Sequence, residues 1–155
     1  MAFGAFVQDD AVDSGSTTSA NLAFGSNNAA GNTILVAGRV GAQGRTVTVT
    51  DTRGNTYVQD RNQLSGADHE LFVFRASNVA AGANTVTFAI SGAAATIRWI
   101  ITEYEGNAVL DQTNSADGAS GITTPSGNVI TTVADELIFR TASVASQSTF
   151  TAGTN

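Results

Sequence analysis

A chain of 155 residues sets one domain as the expectation, and with no cysteine and a single histidine it offers neither disulfides nor a thiolate or histidine-rich metal site. Thirteen acidic residues outweigh seven basic ones for a formal net charge of −6, and every basic residue is an arginine (39, 45, 53, 61, 75, 98 and 140). These arginines are spread singly, so the basic stripe that a nucleic-acid-binding domain presents is missing and nucleic acid is not an expected partner.

The elements follow in chain order. Phe3 to Gln8 alternates weakly and reads as an edge strand, and Asp9 to Ser16 reads as a polar, turn-rich stretch. Thr17 to Phe24 is another weak strand, and a glycine–asparagine loop runs from Gly25 to Asn32. Thr33 to Val40 is apolar on both faces through Ile34, Leu35 and Val36, as a buried central strand is. Arg45 to Thr50 alternates strictly, with Val47 and Val49 on one side and Thr46, Thr48 and Thr50 on the other. A turn then spans Asp51 to Asn55, in which side chains bond their own backbone and Gly54 takes a positive φ, and Thr56 to Val58 resumes an extended chain. His69 to Ala76 holds the doubly apolar Leu71-Phe-Val-Phe74, which is either central or has one face against a partner. Asn78 to Asn84 reads as a loop, and Asn84 to Ser91 as a strand with Val86, Phe88 and Ile90 on one face. In Ala95 to Tyr104, Ile97, Trp99 and Ile101 share a face. Val129 to Val133 and Glu136 to Thr141 complete the predicted strands.

Helical periodicity is nearly absent, and strand-like segments recur with turn signals between them. The expected fold is therefore all-β, an antiparallel two-sheet β-sandwich of immunoglobulin-like or jelly-roll type, formed by residues 1–155 as a single domain. Residues 1–32 are set apart as an N-terminal arm. Four motifs arrive in order: Val-Thr-Val-Thr-Asp-Thr-Arg-Gly-Asn-Thr-Tyr (47–57), Ala-Ala-Gly-Ala-Asn-Thr-Val-Thr-Phe (80–88), Ile-Thr-Glu-Tyr-Glu-Gly (101–106) and Thr-Thr-Val-Ala-Asp-Glu-Leu (131–137). Together, over residues 30 to 142, they resemble a β-sandwich module of large secreted bacterial proteins and phage structural proteins. The resemblance implies an immunoglobulin-like sandwich with a binding or scaffolding role and brings no catalytic residues. The module usually continues past 149–153 with further strand, so the closing edge is an open question at this point.

Residues able to do chemistry have plain structural readings. Glu103 and Glu105 lie two apart on an extended segment, but glycoside hydrolysis needs its carboxylates across a cleft, and a strand end turning into solvent is the simpler reading. Asp9, Asp10 and Asp13, and separately Asp111 and Asp117, are oxygen-rich clusters that make calcium a conceivable cofactor, although neither matches a calcium-binding loop. No other cofactor is implied. His69 sits between Asp68 and Glu70, but no Gly-x-Ser-x-Gly elbow accompanies it. No catalytic residue is assigned and the chain is read as a non-enzyme. Trp99 and Tyr104 are the candidate glycan-stacking residues, with Trp99 favouring the core, and the threonine rows at 46/48/50 and 85/87 resemble flat arrays that bind ordered surfaces.

No segment has the ~20 apolar residues that cross a bilayer, so no membrane partner is expected. Met1 to Val7 is too short and lacks the basic start of a signal peptide. The expected function is therefore that of a virion structural protein made in a host cytoplasm, a phage capsid decoration (cement) or tail-associated sandwich that assembles with itself or with other virion proteins. Phe3 and Phe6 on the arm and Phe72 and Phe74 on the doubly apolar strand are the candidate interface residues, and exchange of the arm into an open edge is the expected mode. The alternative is a secreted carbohydrate-binding or adhesin module.

Overall fold

The computed structural model describes residues 4–66, 68–116, 128–134 and 136–143. Among them lie eight strands: β1 (Phe6–Thr17), β2 (Ser19–Ala23), β3 (Thr33–Val40), β4 (Val47–Asp51), β5 (Val58–Ser65), β6 (His69–Ala76), β7 (Thr85–Ile90) and β8 (Ala95–Tyr104). They form a five-stranded sheet, β1-β8-β3-β6-β5, and a three-stranded sheet, β2-β7-β4, with every pairing antiparallel. The expected two-sheet sandwich is thus observed. First pairs with last (β1 with β8), second with seventh (β2 with β7) and third with sixth (β3 with β6), as when one long antiparallel ribbon is rolled up. A jelly roll has these three pairings, but its fourth, β4 with β5, is not made here, because β5 pairs with β6 in the large sheet. An immunoglobulin-type sandwich would instead keep its first two strands side by side in one sheet, whereas β1 and β2 here lie in different sheets.

Alternation explains the strands that close the core. Inward residues Ile34, Val36 and Val40 of β3, Phe72 and Phe74 of β6, and Ile97, Trp99 and Ile101 of β8 meet Val47 and Val49 of β4 and Val86, Phe88 and Ile90 of β7. Each such side chain, fully buried, contributes roughly 1.5–3 kcal/mol of apolar transfer. Gly38 takes the inward position between Val36 and Val40. A Cβ there would stand 2.5 Å from Cε2 of Phe88, so the missing side chain is what lets the Phe88 ring cross from the small sheet and tilt against Trp99 at 5.6 Å between centroids.

Several expectations are corrected. The polar stretch Asp9 to Ser16 is strand, because pairing with β8 supplies its ladder and its outward side chains stay in water. The described part of residues 1–32 is consequently no free arm: β1 and β2 are integral edge strands, joined at Thr18, whose carbonyl accepts the Ile90 N–H at 2.8 Å. Val129 to Val133 and Glu136 to Thr141 form no strand among the described residues. β5 extends to Ser65, well past the short extended segment expected at 56–58.

Candidate functional site

Glu103 continues the inward row Ile97–Trp99–Ile101 at the end of β8, and its side chain is 0% exposed. One carboxylate oxygen accepts the Gln8 Nε2–H at 2.6 Å and the Asn28 Nδ2–H at 2.8 Å. The other accepts the Ala29 N–H at 2.9 Å and the Asn32 Nδ2–H at 2.7 Å. Burial pushes this carboxyl up, but the four N–H donors more than offset it and hold it below its ordinary value. Among the described residues no arginine forms an ion pair with it, and the donors that solvate the charge are neutral dipoles. Gln8 in turn accepts the Ser26 N–H and Oγ–H, so the node ties the loop between β2 and β3 to both β1 and β8. Glu105 is exposed beyond the strand end, and the paired-carboxylate arrangement is not formed.

Asp51 builds the expected turn and more. Its Oδ1 accepts the N–H groups of Arg53 and Asn55, each at 3.0 Å, and Gly54 has φ 72°. Its Oδ2 takes Asn55 Nδ2–H, Tyr57 O–H and Asn84 Nδ2–H at 2.7, 2.9 and 2.9 Å. Burial raises this carboxyl, and the donors from Asn84, Asn55 and Tyr57 bring it below its ordinary value. Burial and the neighbouring carboxylate push the Tyr57 hydroxyl up in turn. His69 is buried. Its Nδ1 lies 2.7 Å from Asp68 Oδ1, while Nε2, which a nucleophile would need, is enclosed with no partner among the described residues.

The calcium candidates Asp9, Asp10 and Asp13 do not converge. Asp9 and Asp10 point to opposite faces of β1, as successive strand residues must, and Asp13 is bonded to Arg98 Nε at 2.7 Å. That bond and the Gly15 N–H lower the Asp13 carboxyl. Asp111 is bonded by the Thr132 N–H and hydroxyl, and Asp117 lies outside the described residues.

Of the interface candidates, Phe72 and Phe74 are core residues, because β6 is flanked by β3 and β5 and both rings point between the sheets. Phe6 is 54% exposed and packs edge-on to Tyr104 at 5.8 Å; Phe3 lies outside the described residues. Trp99 is 3% exposed with its Nε1–H donated to Ser14 Oγ, so it is no stacking platform.

Sequence reasoning missed the surface most open to partners. The chain after β8 crosses the outward face of the large sheet. Ala108 is held by Thr33, Arg75 and Ser77, Ser115 by Arg61, and residues 139–142 form, with Ile100, a pocket of about 280 Å³. Asn114 donates to the carbonyl of Asn128, and Thr132 donates to Asp111, so the 109–114 and 128–133 segments lie side by side. Val109, Leu110, Val129, Ile130, Val133, Leu137 and Ile138 on this layer are exposed, Val109 and Ile130 at 83% each. The signal was present as β-branched residues in 128–141, but it read as internal strand.

Comparison of the chain with family models, with curated proteins and with solved structures found no match.

Proposed function

We propose that the chain is a non-enzymatic structural sandwich that assembles with itself or with a particle shell, in the manner of a phage capsid decoration or tail-associated protein working on the virion. The observation that carries this reading is the layer over the large sheet, where seven large apolar side chains of residues 109–110 and 129–138 are left in water. Exposed apolar surface gathered in one place marks an interaction site rather than random surface composition. The polar groups that sequence reasoning weighed for chemistry are committed elsewhere: Glu103 and Asp51 hold loops, and His69 is enclosed. The three pairings shared with a jelly roll support the reading by analogy alone, since capsid and lectin domains both use that fold. Electron microscopy and sedimentation velocity of the purified chain test it. Defined oligomers or shells support assembly, and a single slow species at every concentration counts against it.

A second reading, a secreted carbohydrate-binding or adhesin module, draws on a different face. Ser19 and Asn21 of β2, Thr85 and Thr87 of β7, and Thr48 and Thr50 of β4 lie side by side on the outward face of the small sheet, with no charged residue among them. Glycan-array binding by a monomeric chain, abolished by Thr50→Asp and Thr87→Asp, would support this reading over the first.

A further inference from the structure

Four strands end the two sheets, and three of them are guarded. β1 carries Asp9, Asp10, Asp13 and two breaks in register, and β5 carries Asp60, Arg61 and one break. β2 leaves β1 through Thr18, so the turn closes that side of the sandwich. Charged residues and bulges are how natural proteins keep a sheet edge from pairing with another chain. β4 has neither: Val47-Thr-Val-Thr50 is uncharged, Asp51 is turned into its own loop, and its register with β7 is unbroken over five pairs. Among the described residues nothing pairs with its outer edge.

Two further observations fall at the same place. The small sheet stops short of β5, so the inward-facing Gln59, Asn62 and Leu64 are left exposed. Next to Leu64 in register stands Glu70, 4% exposed. One of its oxygens accepts the Asn62 Nδ2–H at 2.7 Å, and Oε2, though buried, has no partner among the described residues. An open edge, an uncovered inner face and a buried acceptor without a donor coincide.

We infer that residues 128–133 of a second copy add here as a fourth strand of the small sheet, and this rests on the self-assembly reading. The segment Asn-Val-Ile-Thr-Thr-Val is uncharged like the edge it meets, is β-branched at five of its six positions as strands favour, and has six residues against the five of β4. In its own chain it belongs to no strand and leaves Val129, Ile130 and Val133 in water. Laid beside β4 with Val129, Thr131 and Val133 inward, it extends the Val47–Val49 row, covers Leu64, and brings a threonine hydroxyl to the side on which Glu70 needs a donor. Its own copy holds it on the far side of the large sheet, through Asp111, Asn114 and Ser115, the last bonded to Arg61. A second copy therefore supplies the strand, and two copies can exchange it reciprocally.

The chain has no cysteine, so Thr48→Cys and Ile130→Cys each introduce a single thiol at the centre of a partner strand. Mixed under mild oxidation, the two variants are expected to give a disulfide-linked heterodimer in clear excess over either homodimer, and Thr48→Lys is expected to dissociate the assembly while leaving the circular dichroism unchanged. Oligomers by sedimentation with no heterodimer excess would overturn this inference and leave self-assembly standing. A monomer in sedimentation would overturn both.

Discussion

Replacing Glu103 by glutamine keeps the size of the side chain and removes only the charge and one acceptor. If the new NH2 group takes the place of the oxygen facing Gln8 and Asn28, Asn28 can turn its amide over, because its Oδ1 has no partner among the described residues to lose. Gln8 cannot follow without giving up both bonds from Ser26. If the NH2 takes the other position, it faces the Ala29 N–H, which is backbone and cannot turn. Either way at least one donor is left against a donor, and a buried polar group left unsatisfied costs about 1–3 kcal/mol. The remaining bonds lose their charge assistance, so Glu103→Gln should destabilise the fold by roughly 2–4 kcal/mol in all. Urea unfolding followed by Trp99 fluorescence at neutral pH measures this. The pH dependence gives an independent check. A carboxyl lowered in the folded state contributes stability that is complete above its unfolded value of ~4.3 and is lost as pH falls through the folded value. The gap between wild type and Glu103→Gln should therefore close on acidification. A loss under ~0.5 kcal/mol at neutral pH, or a gap that widens in acid, would refute the reasoning.

The other predictions follow from the core, the turn and the edge strand. Gly38→Ala should cost about 1–3 kcal/mol in the same assay, since the added Cβ meets the Phe88 ring at 2.5 Å and the ring is held by Trp99. Phe72→Ala should cost about 3–5 kcal/mol, whereas Phe6→Ala should stay within about 1 kcal/mol, a contrast that a shared interface role for the two would not produce. Asp51→Ala should lower the thermal midpoint and raise the proteolytic sensitivity of the 51–57 turn, because five donors lose their acceptor. Calcium or a chelator should leave the melting temperature of the purified chain unchanged, as Asp10 faces away from Asp9 and Asp13 and Asp13 is already bonded to Arg98, and a clear rise with calcium would overturn that placement.

What was legible in the sequence had a local cause. β3, β6 and β8 have the bounds expected from their apolar and β-branched runs and the turn signals that flank them, and the Asp51–Gly54 turn is encoded within five residues. β1 was not legible, because a polar strand is made by its neighbour: β8 supplies the ladder, and the aspartates along the edge stay in water. Glu103 was hidden for a related reason. An acidic residue at a strand end reads as solvent, and only its place two residues after Ile101 on the inward row hinted at burial, while its donors come from 71 to 95 residues away. The layer after Tyr104 failed in the opposite direction: strand-forming residues at 128–141 are present, but no strand of their own chain pairs with them among the described residues.

Self-assembly is the claim on which the functional reading stands, and the molar mass of the purified chain in solution, taken by light scattering across a concentration series, tests it most directly. The account predicts a mass that settles at a fixed multiple of 15.8 kDa and falls with Thr48→Lys. A mass of 15.8 kDa at every concentration would contradict it.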